Sequence, residues 1–368
     1  MKFENYIDSY LKGYQNYKSY WNYEDGTVLL GAKQMYEASK DEKYFEFIKD
    51  YLEYFIKEDG TIDHYEMDKF NIDSINSGKI LFFMYDKTEE EKYRKAIEVM
   101  MDQLRSQPRC QCGNFFHKGI YPNQIWLDGL YMAQPFYMEY ETRFDKKEKY
   151  NDIISQFENV QRLLYNKERG LCYHAYDEAK EQFWADKKTG CSPNFWLRSI
   201  GWFLMGLADT MDCMSIEIFE QYKKLENMFK QMLKGILQYQ DADSKLFYQI
   251  VDRGDTVGNY LETSGSAMIA YAILKGCNMG ILLKEKYAVI GEGILSSLFE
   301  KKLVEKDGAF HLTGICQMAG LGPENKPLRD GSIEYYLSEK VVDDDPKGVG
   351  PLMMAYSQYL QLQKEMEL

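Results

Sequence analysis

Residues 117–136 read HKGIYPNQIWLDGLYMAQPF. One acid, Asp128, stands directly after Trp126-Leu127 and directly before Gly129 and an apolar run. The run has the composition of a helix built for burial, and the acid stands at its start. Burying a carboxylate costs free energy unless it is paired or kept protonated. An acid in that place points to a proton donor.

Five further segments repeat the pattern of a glycine beside polar or aromatic residues, followed by an apolar helix rich in small residues. They are YEDGTVLLGAKQMYEA (23–38), NSGKILFFMYD (76–86), WLRSIGWFLMGLADTM (196–211), ETSGSAMIAYAILKG (262–276) and KGVGPLMMAYSQYLQL (347–362), with WLDGLYMAQPFYMEY (126–140) between the second and third of these. Charged stretches such as 41–58, 88–104 and 219–240 lie between them, with apolar residues at i, i+3 and i+4. A helix that is apolar all round must be covered, and one with a single apolar stripe can do the covering. Six of each predict an all-α fold, an (α/α)6 toroid of six helical hairpins with an inner and an outer ring. Pro135 is expected to kink the third inner helix. The strand-like pieces GLCYHAYD (170–177) and KLFYQIVD (245–252) are expected as loop hairpins. No low-complexity linker divides the chain, so residues 1–368 are read as a single catalytic domain.

Composition narrows the function. The net charge is −13 and the pI about 5.0. No Lys/Arg-rich stripe is present, which argues against nucleic acid as a partner. No apolar run is long enough for a membrane span, and the first residues carry no signal-peptide segment. Cytoplasmic residence follows as the default. The seven cysteines suit reduced thiols. Cys110, Cys112 and His117 supply too few ligands for a zinc site, so no metal is expected. The 31 tyrosines and 5 tryptophans offer flat faces with polar edges, as sugar clefts require, although a tyrosine-rich core uses them equally well.

The six helix starts should face one end of the toroid and line one cavity, where converging N-termini favour an anionic ligand. Acids and cations collect there: Asp73, Asp128, Arg198, and in the lead-ins His117, Lys118 and His174, accompanied by Trp126, Trp196 and Trp202. Such a set suits an acidic sugar and proton transfer. Each residue also has a plainer reading. Asp73 can be a helix cap, His174 a core histidine, Arg198 the partner of a buried acid, and Trp196 and Trp202 core. Asp25 and Glu262 read as caps. His64 and His311 sit in no readable motif.

HKGIYPNQIWLDGLYMAQPF resembles the signature of glycoside hydrolase family 105, the unsaturated rhamnogalacturonyl hydrolases. The similarity extends through WNYEDGTVLLG, INSGK, YHAYDEAKEQFWADKKTGCSPNFWLRSIGW, ETSGSAMIAYAILKG and RDGSIEYYLSEKVVDDDPKGVGPLMMA, in the family's order. Family 88, the unsaturated glucuronyl hydrolases, is a more distant relative on the same fold. The resemblance implies a substrate whose terminal uronic acid carries a C4=C5 double bond, expected as the unsaturated rhamnogalacturonan disaccharide of pectin breakdown. The enzyme would hydrate that bond, and the hemiketal would open and release the neighbouring sugar. Asp128 matches the catalytic aspartate and Asp73 the second one. His117, His174, Trp196, Arg198 and Trp202 match positions around the uronate, and Tyr23, Lys118 and Trp126 belong to the same wall. No metal or organic cofactor is implied, and the assembly is expected as monomer or homodimer. Burial beside Trp126 and repulsion from Asp73 favour protonated Asp128, while a helix N-terminus and a nearby arginine favour the carboxylate. The expectation is that the protonating influences win once substrate excludes water. Other readings are a glucuronyl hydrolase, a sugar epimerase with paired histidines, and a non-catalytic sugar-binding toroid.

Overall fold

In the computed structural model, which describes residues 2–15, 18–323 and 328–367, thirteen α-helices follow one another. They are α1 (Lys2–Gly13), α2 (Tyr23–Ser39), α3 (Glu42–Phe55), α4 (Lys79–Thr88), α5 (Glu91–Ser106), α6 (Leu127–Arg143), α7 (Tyr150–Leu164), α8 (Leu197–Cys213), α9 (Phe219–Ile236), α10 (Thr263–Asn278), α11 (Lys284–Lys301), α12 (Ile333–Ser338) and α13 (Pro346–Glu367). Two kinds of helix alternate. In α3 only Tyr44, Ile48, Leu52 and Phe55 are buried, one stripe at helical spacing. In α2 the buried residues run almost without a break from Glu24 to Met35. Truncating a stripe residue such as Leu52 to alanine is expected to cost about 3 kcal/mol.

The buried helices α2, α4, α6, α8, α10 and α13 each pack on the next, and α13 packs back on α2 to close the ring. A 3-10 segment, Ile72–Gly78, leads into α4 and shares its place. Glycines let these helices approach. A Cβ on Gly26 would meet the Ser77 backbone at 2.6 Å, and one on Gly350 the Thr27 carbonyl oxygen at 2.6 Å. Helices α3, α5, α7, α9 and α11 cover the ring from outside. The sixth outer place is taken by α1. Its Phe3 packs at a tilt on Phe299 of α11 at 4.5 Å and meets Tyr356 of α13 edge-on at 4.8 Å. The fold is therefore the expected toroid of six hairpins, and the last hairpin joins the two ends of the chain. Pro135 lies within α6, which continues through it to Arg143.

The strand-like pieces form strands, but mostly not with themselves. Ala175–Asp177 pairs with Gln124–Trp126, and Phe247–Tyr248 pairs with Leu261–Glu262. Only Leu171–Cys172 closes a local hairpin, with Tyr165–Asn166. Period-two alternation marks which face is buried, not which segment supplies the partner. Among the described residues, no helix is long and apolar enough to cross a membrane.

Candidate active site

Backbone hydrogen bonds tie the starts of four inner segments to the lead-in of the next hairpin. The N–H of the first helical residue has no partner within its own helix. Ile72 N–H donates to the His117 carbonyl at 3.3 Å, Leu127 to His174 at 3.0 Å, Leu197 to Gln249 at 3.0 Å and Thr263 to Gly314 at 3.0 Å. The residues that follow these are Asp73, Asp128, Arg198 and Ser264. Taken around the ring, the second residues of the six inner segments are Glu24, Asp73, Asp128, Arg198, Ser264 and Lys347. Three adjacent acids thus stand on one side, and the two cations on the other.

The acids line an open cavity together with Tyr23, His117, Lys118, Trp126 and Arg329. Asp73 is clamped: Lys118 Nζ lies 2.6 Å from Oδ2, and His117 Nε2 lies 3.3 Å from Oδ1. Burial works to raise the Asp73 carboxyl, but Lys118 and His117 hold it below the usual carboxylate range. Burial pushes the His117 imidazole down to about 4, so it is neutral at pH 7. Its ring stacks on Trp126 at 4.7 Å and 3°, and Tyr121 also stacks on Trp126 at 5.1 Å. Glu24 is bound by Lys18 and stands 3.9 Å from Lys347.

Asp128 is held differently. Its Oδ2 faces the Nε2 of buried His174 at 3.4 Å, and neither atom has a hydrogen-bond partner among the described residues. The other imidazole nitrogen, Nδ1, lies 2.7 Å from the Tyr336 hydroxyl, a bond whose direction follows the tautomer. His174, Trp196 and Arg198 form a layer behind Asp128 rather than the cavity wall. The His174 ring lies 4.7 Å from Trp196, and the Arg198 guanidinium 5.3 Å from the same indole. Arg198 is 1% exposed, donates to Ser264 Oγ at 2.9 Å and to the Cys316 carbonyl, and stands 3.7 Å from Glu262. Trp202 is buried further along α8, stacked on Tyr131 at 4.6 Å.

The sequence expectations therefore divide. Tyr23, Asp73, His117, Lys118, Trp126 and Asp128 meet in the cavity. His174, Trp196 and Arg198 stand behind it, and Trp202 lies in the core. Glu262 caps α10, accepting from Ser264 N–H and Gly265 N–H. Asp25 does not cap α2: Asn22 does, and the Asp25 carboxylate accepts from Tyr14, Tyr51 and Asn22 side chains instead. His311 bonds Asp344 at 2.6 Å, and His64 sits in a left-handed turn. Glu24 and Arg329 were not singled out from the sequence. The position of Glu24, second in its helix like Asp128 and Asp73, was the available signal. Arg329 comes from the loop before α12, where no periodicity marks it.

The family model described as Glycosyl Hydrolase Family 88 matches residues 3–363. A solved family 105 glycoside hydrolase from Clostridium acetobutylicum is 41% identical, superposes with a TM-score of 0.93, and is covered to 99% by 98% of this chain. The 24.9 kDa protein in the picA locus of Rhizobium radiobacter is 39% identical over 240 residues, 63% of this chain and 99% of that protein. The unsaturated rhamnogalacturonyl hydrolase YesR of Bacillus subtilis is 25% identical over 260 residues, 69% of this chain and 70% of YesR.

Proposed function

The chain belongs to Glycosyl Hydrolase Family 88, and on that premise we propose that it removes a C4=C5-unsaturated uronic acid from the non-reducing end of a lyase-generated oligosaccharide. The preferred substrate in this reading is the unsaturated rhamnogalacturonan disaccharide, by analogy with YesR.

One observation carries the assignment. Of the three acids on the cavity, Asp73 and Glu24 are each held by a lysine, whereas Asp128 has only His174 beside it. A cation beside a carboxyl favours its ionised form, and of these three acids Asp128 is the one with no lysine beside it. Asp128 therefore gives its proton to C4 of the vinyl ether, and positive charge develops at C5 and the ring oxygen. The Asp73 carboxylate stabilises that charge. Water adds at C5 and returns a proton to Asp128, so one carboxyl works as acid and then as base. The hemiketal opens by breaking the bond from C5 to the ring oxygen. The hemiacetal left at C1 then releases the neighbouring sugar. Trp126, stacked against His117 and Tyr121, stands in the cavity wall and offers the uronate its exposed ring edge.

Arg329 takes the substrate carboxylate in this reading. It lines the cavity and makes no ion pair among the described residues, its one polar contact being Met318 Sδ at 3.5 Å. Arg198, whose Nε and Nη2 bond Ser264 Oγ and the Cys316 carbonyl, links the starts of α8 and α10. With Arg329→Gln, KM is expected to rise about tenfold with kcat little changed, the loss of one charge-assisted bond. An unchanged KM removes Arg329 from substrate recognition.

The decisive experiment follows the ultraviolet absorbance of the enol ether on the unsaturated disaccharide with wild type and Asp128→Asn. Absorbance should fall with wild type and hold with the variant. Equal loss in both would eliminate Asp128 as proton donor. No loss with any unsaturated uronide would eliminate the reaction. An epimerase would need two histidines reaching one sugar carbon, and His117 and His174 are both at most 2% exposed.

A further inference from the structure

Behind His117, away from the sugar cavity, three glutamine and histidine side chains leave a hydrogen-bonding remainder that closes in only one way. Gln156 Oε1 accepts from the Phe115 backbone N–H at 3.2 Å and from Gln134 Nε2 at 3.1 Å. A backbone N–H only donates, so that end of the Gln156 amide is oxygen and the other end, Nε2, is a donor. The same step fixes Gln134, leaving its Oε1 as an acceptor. On His117, Nε2 faces the Asp73 carboxylate, which only accepts, so Nε2 carries the proton. A neutral imidazole then presents a lone pair at Nδ1.

The remainder is one donor, Gln156 Nε2, and two acceptors, Gln134 Oε1 and His117 Nδ1. All three are buried and have no partner among the described residues. The three side chains are each 2% exposed and line one small cavity with space for a water. Gly129, the residue after Asp128, lines it too, and a Cβ there would stand 3.1 Å from His117 Nδ1. A water accepts from the donor and gives its two hydrogens to the two acceptors, so every group is satisfied at once. Unpaired, each would forfeit roughly 1–3 kcal/mol.

We propose that a structural water bridges Gln156, Gln134 and His117, and that Gln134 and Gln156 are positioning residues that lock His117 as the Nε2–H tautomer aimed at Asp73. The glycine of the WLDG motif keeps the space for it. The water and the tautomer stand independently of the hydrolase reading; only their effect on turnover rests on it.

The test has two parts. A high-resolution crystal structure of the wild-type protein should show density within about 2.7–3.2 Å of all three atoms. Imidazole ¹⁵N spectra of histidine-labelled protein should show His117 neutral with its proton on Nε2. Absence of the density, or a proton on Nδ1, overturns the proposal. Gln134→Leu should then yield a mixture of His117 tautomers and about a tenfold loss of kcat with KM held, the scale on which orienting partners act. A lower Tm with unchanged tautomer and unchanged kcat would make the water merely structural and overturn the positioning role. Should Gln134→Leu not fold, Gly129→Ala, which occupies the same space, is read by the same spectra. A wild type that shows the water and tautomer but hydrolyses no unsaturated uronide refutes the function and leaves this inference intact.

Discussion

Two neighbouring hairpins build the same pair and use it differently. In both, the carbonyl of a histidine accepts the first N–H of the preceding inner helix, and the imidazole Nε2 faces the acid at the second position. His117 faces Asp73, and His174 faces Asp128, in the same order 44 to 46 residues apart. The first pair carries Lys118 on the acid and buried glutamines behind the ring. The second carries no lysine, and a tyrosine hydroxyl behind the ring. A similar backbone bond thus carries one acid clamped by a lysine and one with no cation but a histidine beside it. In the proposed reaction the surrounding side chains, not the fold, decide which carboxyl does the chemistry.

The comparison breaks most sharply if the acids are exchanged for their amides. Asp128→Asn is expected to lower kcat about a thousandfold, the scale of losing a general acid, and Asp73→Asn about a hundredfold, as loss of electrostatic support. Equal losses in steady-state assays would mean that the pairs share one role. The next largest effect removes the difference itself. Lys118→Met frees Asp73 from its cation, so its carboxyl protonates at higher pH. The acid limb of kcat/KM should move upward in pH and the neutral rate fall about tenfold. A profile that stays in place would show the clamp to be idle.

The two pairs also predict stability. His117 is held at about 4 in the folded chain against an ordinary 6.5. Between those values the unfolded chain binds the extra proton, so stability falls as pH drops from about 6.5 to 4 and is unaffected above. The loss approaches roughly 3 kcal/mol. Asp73, whose carboxyl is depressed, adds to the loss at still lower pH as it is forced to protonate. Urea midpoints across that range, flattened in His117→Asn, would measure it. The smallest effect is expected from Tyr336→Phe, which removes the hydroxyl behind His174 without touching the cavity. A severalfold fall in kcat with KM constant is expected, and no change would place Tyr336 in packing alone.

Much of this was legible beforehand. Gly129, Gly26 and the apolar residues after them mark the inner helices, because a helix covered on all sides must be apolar and small. The single stripe in α3 marks the outer ones. What periodicity does not carry is the identity of a partner from another hairpin. Arg198 reads as a cation at a helix start, and only the structure shows that Glu262, Ser264 and the Cys316 carbonyl gather around its Nε and Nη2. Asp25 reads as a cap because it is an acid at a start, yet Asn22 lies one turn earlier and fits the N–H better. Arg329 lies in irregular chain, where composition alone says nothing of direction.

The bond repeated from four of the inner starts to the following lead-in has an engineering consequence. It gives the toroid a set of matching mounts whose backbone is secured independently of the side chain displayed. Along the ring they read Asp, Asp, Arg and Ser. Such a rim behaves like a four-letter combination lock. A letter can be changed without disturbing its holder, and a new chemistry on this scaffold needs a new word, not a new frame.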